Sequence, residues 1–183
     1  MRFLILALIL LGGGAYAQDS EGRNTPGDWR VTHHEIHGIW NTMCDERGEG
    51  DGFEQRCYIR YVDVFSPAPN FAAQFVFVTP MAEGHKIDFG MERGTRFVDG
   101  GFRLERDGQT VWQTDQRGCL RGRACSFENS ASDELLQHMQ DGGALWFEFT
   151  DRHGADQLLE WSLEGFQDAF TDYEAEARAR DLL

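Results

Sequence analysis

The sequence predicts a mainly β protein: an antiparallel β-sandwich with one short embedded helix and a C-terminal helix. Three observations lead there. Many short runs are rich in aromatic and β-branched residues. Glycine, proline, asparagine and aspartate turn signals separate them at close intervals. Helical spacing of apolar residues appears in only two segments, one internal and one near the end.

Met1-Arg2, the apolar run FLILALILL from Phe3 to Leu11, and Ala15-Tyr16-Ala17 together form an export signal, with cleavage expected after Ala17. The run falls well short of the roughly 20 apolar residues a spanning helix needs, so the mature form is expected to lack a transmembrane segment. Residues 18–26 show no apolar periodicity and read as a mobile leader. A single domain is expected over 27–183, in the periplasm or otherwise outside the cytosol.

Strand-like runs then follow in order. Trp29-Arg30-Val31 starts one, Cys57 to Val64 forms the next, and SPAPN at 66–70 closes it. Phe71 to Thr79 is aromatic and β-branched and ends at Pro80, and Lys86 to Met91 alternates. Phe102–Leu104 and Thr110–Trp112 flank Asp107-Gly108, a strong hairpin signal. Cys125–Phe127, Ala144–Thr150 and Leu158–Leu163 complete the set. Leu135, Leu136 and Met139 lie at helical spacing, with Ser130 and Asp133 as a start signature and Gly142-Gly143 as a stop. Gly165 to Leu183 carries Phe166, Phe170 and Tyr173 at i, i+4 and i+7. The tail 174–183 is charged on most faces and is where fraying is expected.

The four cysteines, Cys44, Cys57, Cys119 and Cys125, allow three pairings. An oxidising compartment favours bridges, and the spacing favours the local pairs Cys44–Cys57 and Cys119–Cys125. A four-thiolate metal site and a catalytic thiol are the rival readings. The spacings C-x12-C and C-x5-C do not match zinc knuckles.

Several short motifs come in a recognisable order: Gly27-Asp28-Trp29-x-Val31, Cys44…Cys57-Tyr58, Leu104-x-x-Asp107-Gly108 and Cys119-Leu120…Cys125. Glu134-Leu135-Leu136…Met139-x-x-Gly142 and Ser162-Leu163-x-Gly165-Phe166 follow. This series resembles the invasion-associated locus B family of exported alphaproteobacterial proteins, over residues 27 to about 170. The resemblance implies a compact β-rich periplasmic or envelope domain with two disulfides, and it transfers no catalytic residue. The chain departs from that pattern where Thr32 to Met43 intervenes before the first cysteine, and in a second cysteine loop one residue longer.

Chemistry-bearing clusters are few. His33-His34-Glu35-Ile36-His37 is one residue short of H-E-x-x-H. On a strand, His33, Glu35 and His37 share one face, roughly 7 Å apart for successive members. They form a candidate zinc or copper site. The alternatives are an exposed polar strand face, or a turn at His37-Gly38 that splits the histidines between strands. Asp45, Glu46, Glu49 and Asp51 in the first cysteine loop read as a solvated acidic loop or, without the EF-hand ligand order, a calcium site. Arg117, Arg121 and Arg123 stand around the second cysteine pair as a candidate interaction loop in a chain of net charge −14. That charge opposes binding to nucleic acid or anionic lipid. Five tryptophans and fourteen phenylalanines supply the core and an exposed subset for partner contact. No G-x-S-x-G elbow and no phosphate-binding glycine loop occurs. The leading expectation is a non-enzymatic envelope module contacting a protein or glycan. A histidine-dependent metal protein or metalloenzyme is the alternative, and a hydrolase whose site forms only in the fold is the third.

Overall fold

A computed structural model describes residues 29–50, 52–66, 71–123 and 125–183. The expected signal at 1–17, the leader at 18–26, Gly27-Asp28, most of the turn at 66–70, and Asp51 lie outside the described residues. The elements in chain order are β1 (Arg30–His37), β2 (Trp40–Glu49), β3 (Gly52–Ser66), β4 (Ala72–Pro80), β5 (His85–Gly90), β6 (Arg96–Arg106) and β7 (Gln109–Gln113). Then come α1 (Arg117–Leu120), β8 (Cys125–Phe127), α2 (Ser130–Gln140), β9 (Ala144–Thr150), β10 (Asp156–Ser162) and α3 (Phe166–Arg178).

Two antiparallel sheets pack face to face as a sandwich. One runs β1-β2-β3-β4-β5-β8 and the other β10-β9-β6-β7. Alternation along the strands sets which residues meet between them. In β4, Ala72, Gln74, Val76 and Val78 turn inward, and in β9, Leu145, Phe147 and Phe149 do so. The centre is aromatic: Phe147 lies 4.4 Å from Trp161 and 4.8 Å from Phe102, which is 4.9 Å from Phe89. Burying each phenylalanine fully contributes about 2–3 kcal/mol. The Trp161 indole N–H is satisfied by Asp63 Oδ2 at 2.9 Å.

Helix α3 caps the β1–β3 end. Phe166 packs edge-on to Trp40 at 4.8 Å, and Thr42 Oγ1 donates to the Ala169 carbonyl at 3.0 Å. The expected apolar stripe of Phe166, Phe170 and Tyr173 is the buried face, joined by Ala169 and Ala177. The charged segment stays helical to Arg178, with an Arg178–Glu174 pair at 3.0 Å one turn apart.

The structure revises several local expectations. The turn at Gly38 and Ile39 follows His37, so all three clustered histidines stay on β1. The stretch between the first two cysteines is no loop: it builds most of the β2–β3 hairpin, with Cys44 directly opposite Cys57. The charged residues there hid the alternation because a buried carboxylate, Asp45, sits among them. Helix α2 begins at Ser130 with Asn129, not Ser130, at the cap. Ser132 Oγ instead donates to the His85 carbonyl at 2.7 Å and ties α2 to β5. The hairpin at Asp107-Gly108 forms as expected, both residues having positive φ (52° and 73°).

Candidate functional site

The second disulfide, Cys119–Cys125, joins the single turn α1 to the short edge strand β8. Both sulfurs are buried, so the bridge anchors a surface loop to the core. Its backbone is tightly folded. Leu120 N–H bonds the Gln116 carbonyl at 3.0 Å, and Arg123 N–H bonds the Gly118 carbonyl at 2.9 Å. Gly122 is buried with φ +56°, and a Cβ there would stand 2.7 Å from the Glu92 carbonyl and 2.8 Å from Thr95 Cβ. Only glycine permits both the left-handed backbone and that approach. The contact seats the α1 turn against the β5–β6 connection.

A cleft of about 1320 Å³ opens along this seam. Five arginines line it: Arg117, Arg121 and Arg123 from the disulfide loop, and Arg93 and Arg96 from the β5–β6 connection and the start of β6. All five are exposed. Among the described residues, none of their guanidinium groups makes a hydrogen bond or ion pair. Asp99 is the one acid in the lining among the described residues. The nearby carboxylate of Glu92 is engaged by Arg152 at 3.1 Å. In a chain of net charge −14, five guanidinium groups and one carboxylate around one cleft are a local reversal of sign. The sequence showed three of these residues. Arg93 and Arg96 join them through the Gly122 contact, and the only hint of it was a glycine between two arginines.

The histidine cluster is assembled differently from the expected set. His33 and His37 both turn toward α3, where Asp172 and Glu176 lie one helical turn apart. His33 Nε2 sits 2.9 Å from Asp172 Oδ2, and His37 Nε2 sits 3.5 Å from the same oxygen. His33 Nδ1 lies 3.6 Å from Glu176 Oε2, which also pairs with Arg180. Glu35 is exposed and takes no part in the convergence. His34, on the opposite face, meets Asn41 Oδ1 at 2.9 Å.

Two of the acidic residues near the first disulfide, Asp45 and Glu46, are neutralised within the sheet. Asp45 is 4% exposed and accepts from Arg56 Nη2 at 3.0 Å and Tyr58 Oη at 3.1 Å. Those bonds hold the Arg56 guanidinium above its ordinary range, while burial first, then Asp45, raises Tyr58. Hydrogen bonds from Arg30, and then Gln55, hold Glu46 below its ordinary range. The Arg56 guanidinium also covers Trp29 at 3.7 Å. With their oxygens taken by arginine, tyrosine and glutamine, Asp45 and Glu46 form a structural network within the sheet. The tryptophans are inward or half-buried, and among the described residues the exposed aromatics are Phe53, Phe71 and Phe75.

No protein-family model and no curated protein matches the chain. The fold is similar to the crystal structure of invasion associated protein B from Bartonella henselae, with a TM-score of 0.50 and 18% sequence identity. The alignment covers 81% of this chain and 99% of that one. The likeness is one of fold.

Proposed function

We propose, starting from that shared fold, that this chain is an exported, disulfide-stabilised, non-enzymatic interaction module. It meets an envelope or host partner, protein or glycan, by clasping anionic groups in the arginine cleft. One observation carries the reading: five exposed arginines, unpaired among the described residues, around a single cleft in an otherwise acidic chain. Planar guanidinium forks suit carboxylate, sulfate and phosphate groups, and a disulfide-anchored loop holds them at little ordering cost.

Export supports the reading and is supported by it. Two bridges belong to an oxidising compartment, and the amino-terminal residues carry the charge, apolar run and small-residue site of a cleaved signal. The global negative charge repels long polyanions, whereas the cleft attracts at short range. The partner therefore presents a short anionic segment and not a duplex.

The test is titration of the purified mature protein with a short heparin oligosaccharide as the acidic glycan probe and a short glutamate-rich peptide as the acidic peptide probe. Exposed ion pairs contribute about 0.2–1 kcal/mol each, so R117A/R121A/R123A weakens binding by up to about 3 kcal/mol, roughly 100-fold. R178A, outside the cleft, leaves it unchanged. Preference for one probe names the partner class. Binding to neither, or binding indifferent to the triple substitution, overturns the reading.

A further inference from the structure

We infer that the seam between edge strand β1 and helix α3 is a divalent transition-metal site built from His33, His37, Asp172 and Glu176. The two histidines lie four residues apart on a strand, so their backbones are separated by about 13 Å. Their rings nevertheless converge on one oxygen, Asp172 Oδ2, at 2.9 and 3.5 Å. Four ligands held tetrahedrally at about 2.0–2.1 Å from zinc stand roughly 3.3 Å from one another. The two histidine–Asp172 separations bracket that edge length, and Glu176 stands at 3.6 Å from the other ring nitrogen of His33. One ligand atom each from His33, Asp172 and Glu176 lies within 4.8 Å of the others, and His37 joins this trio through Asp172 at 3.5 Å.

A second observation points the same way. His37 Nε2 is buried from solvent and makes no hydrogen bond, although it faces Asp172. A buried polar nitrogen left unsatisfied is costly, and a metal ion is one partner that removes the cost. The donor set of two imidazoles and two carboxylates suits zinc or copper better than calcium or magnesium.

The fold holds the two halves in place independently of an ion. Gly38, in the turn after β1, has φ +63°, and a Cβ there would stand 2.7 Å from the Glu164 carbonyl. Gly165, the α3 cap, has φ +83°, and a Cβ there would meet the His37 carbonyl group at 2.8 Å. This backbone contact fixes where α3 starts relative to His37. About two turns later Asp172 arrives at the histidine pair, and Glu176 one turn beyond it. Bound metal thus clamps the terminal helix to the outermost strand of the six-stranded sheet.

The test is calorimetric titration of the untagged mature protein with Zn²⁺, with Mg²⁺ as control, alongside thermal melts. The site predicts one zinc per chain, a raised melting temperature with zinc alone, and binding at least about tenfold weaker in H33Q and, separately, in D172N. E35Q keeps wild-type affinity, which separates this site from a strand-only set of His33, Glu35 and His37. Circular dichroism of the metal-free variants confirms that each folds. Absence of zinc binding overturns the proposal, as does binding that survives both H33Q and D172N. In either case the cluster is an ion-pair seam between strand and helix.

Discussion

Removing the second disulfide separates the stability of this domain from its proposed activity. The bridge spans a sequence separation of 6, for which chain-entropy arguments give about 2 kcal/mol of stabilisation. Replacing both buried cysteines by alanine in C119A/C125A also leaves small voids, adding about 1 kcal/mol. The total, about 3 kcal/mol, lowers the melting temperature by roughly 6–12 °C in a domain of this size. The first bridge spans a separation of 13 and stabilises by about 3 kcal/mol on the same argument. Its two cysteines, however, face each other across the β2–β3 ladder, which keeps its register without the bond. C44A/C57A should therefore melt lower yet keep a formed arginine cleft, whereas C119A/C125A frees the loop that carries Arg117, Arg121 and Arg123. The assay is scanning calorimetry with anion-probe titration at a temperature where both variants are folded. The reasoning fails if C119A/C125A binds like the parent, or if C44A/C57A loses binding to the same extent.

Two further substitutions test the packing. Gly122→Ala forces a left-handed alanine, costing about 1–2 kcal/mol, and drives its Cβ into the Glu92 carbonyl. A lower melting point together with weaker probe binding is expected, and unchanged binding would show that the cleft does not depend on that contact. His85 is packed against Phe170 and Tyr173 with its Nε2 buried and unpartnered, and burial lowers its imidazole from the ordinary value of 6.5. Below that value the unfolded chain takes up a proton that the folded chain resists, so stability drops as pH falls through about 6.5. Glu174 and Asp133 oppose the shift, and Arg178 adds to it. Urea midpoints at pH 7.5 and 5.5 should differ less in H85F than in the parent, and an equal difference would remove His85 as the cause.

Elements whose pattern is local were legible in the chain. The Asp107-Gly108 turn needs two positive φ values, which those residues adopt readily, and the hairpin forms there. The i, i+4, i+7 spacing of Phe166, Phe170 and Tyr173 marked the buried face of α3. Strand β2 was illegible because its charges read as solvated, although Asp45 is buried against Arg56 and Tyr58. The four-residue α1 is too short to show a period.

Composition, cysteine spacing and short-range periodicity determine the class of this protein: two stapled sheets with a helix at the end. Backbone preference and side-chain alternation act over only a few residues, so they are written locally. Which charged groups meet is decided by tertiary contact. The close approach at Gly122 brings Arg93 and Arg96 to the disulfide loop, and the meeting of Gly38 with Gly165 sets Asp172 and Glu176, in place of Glu35, beside the histidines. Electrostatic and ligating chemistry acts across distances of a few ångströms in space, whatever the separation along the chain, and only the folded backbone sets those distances.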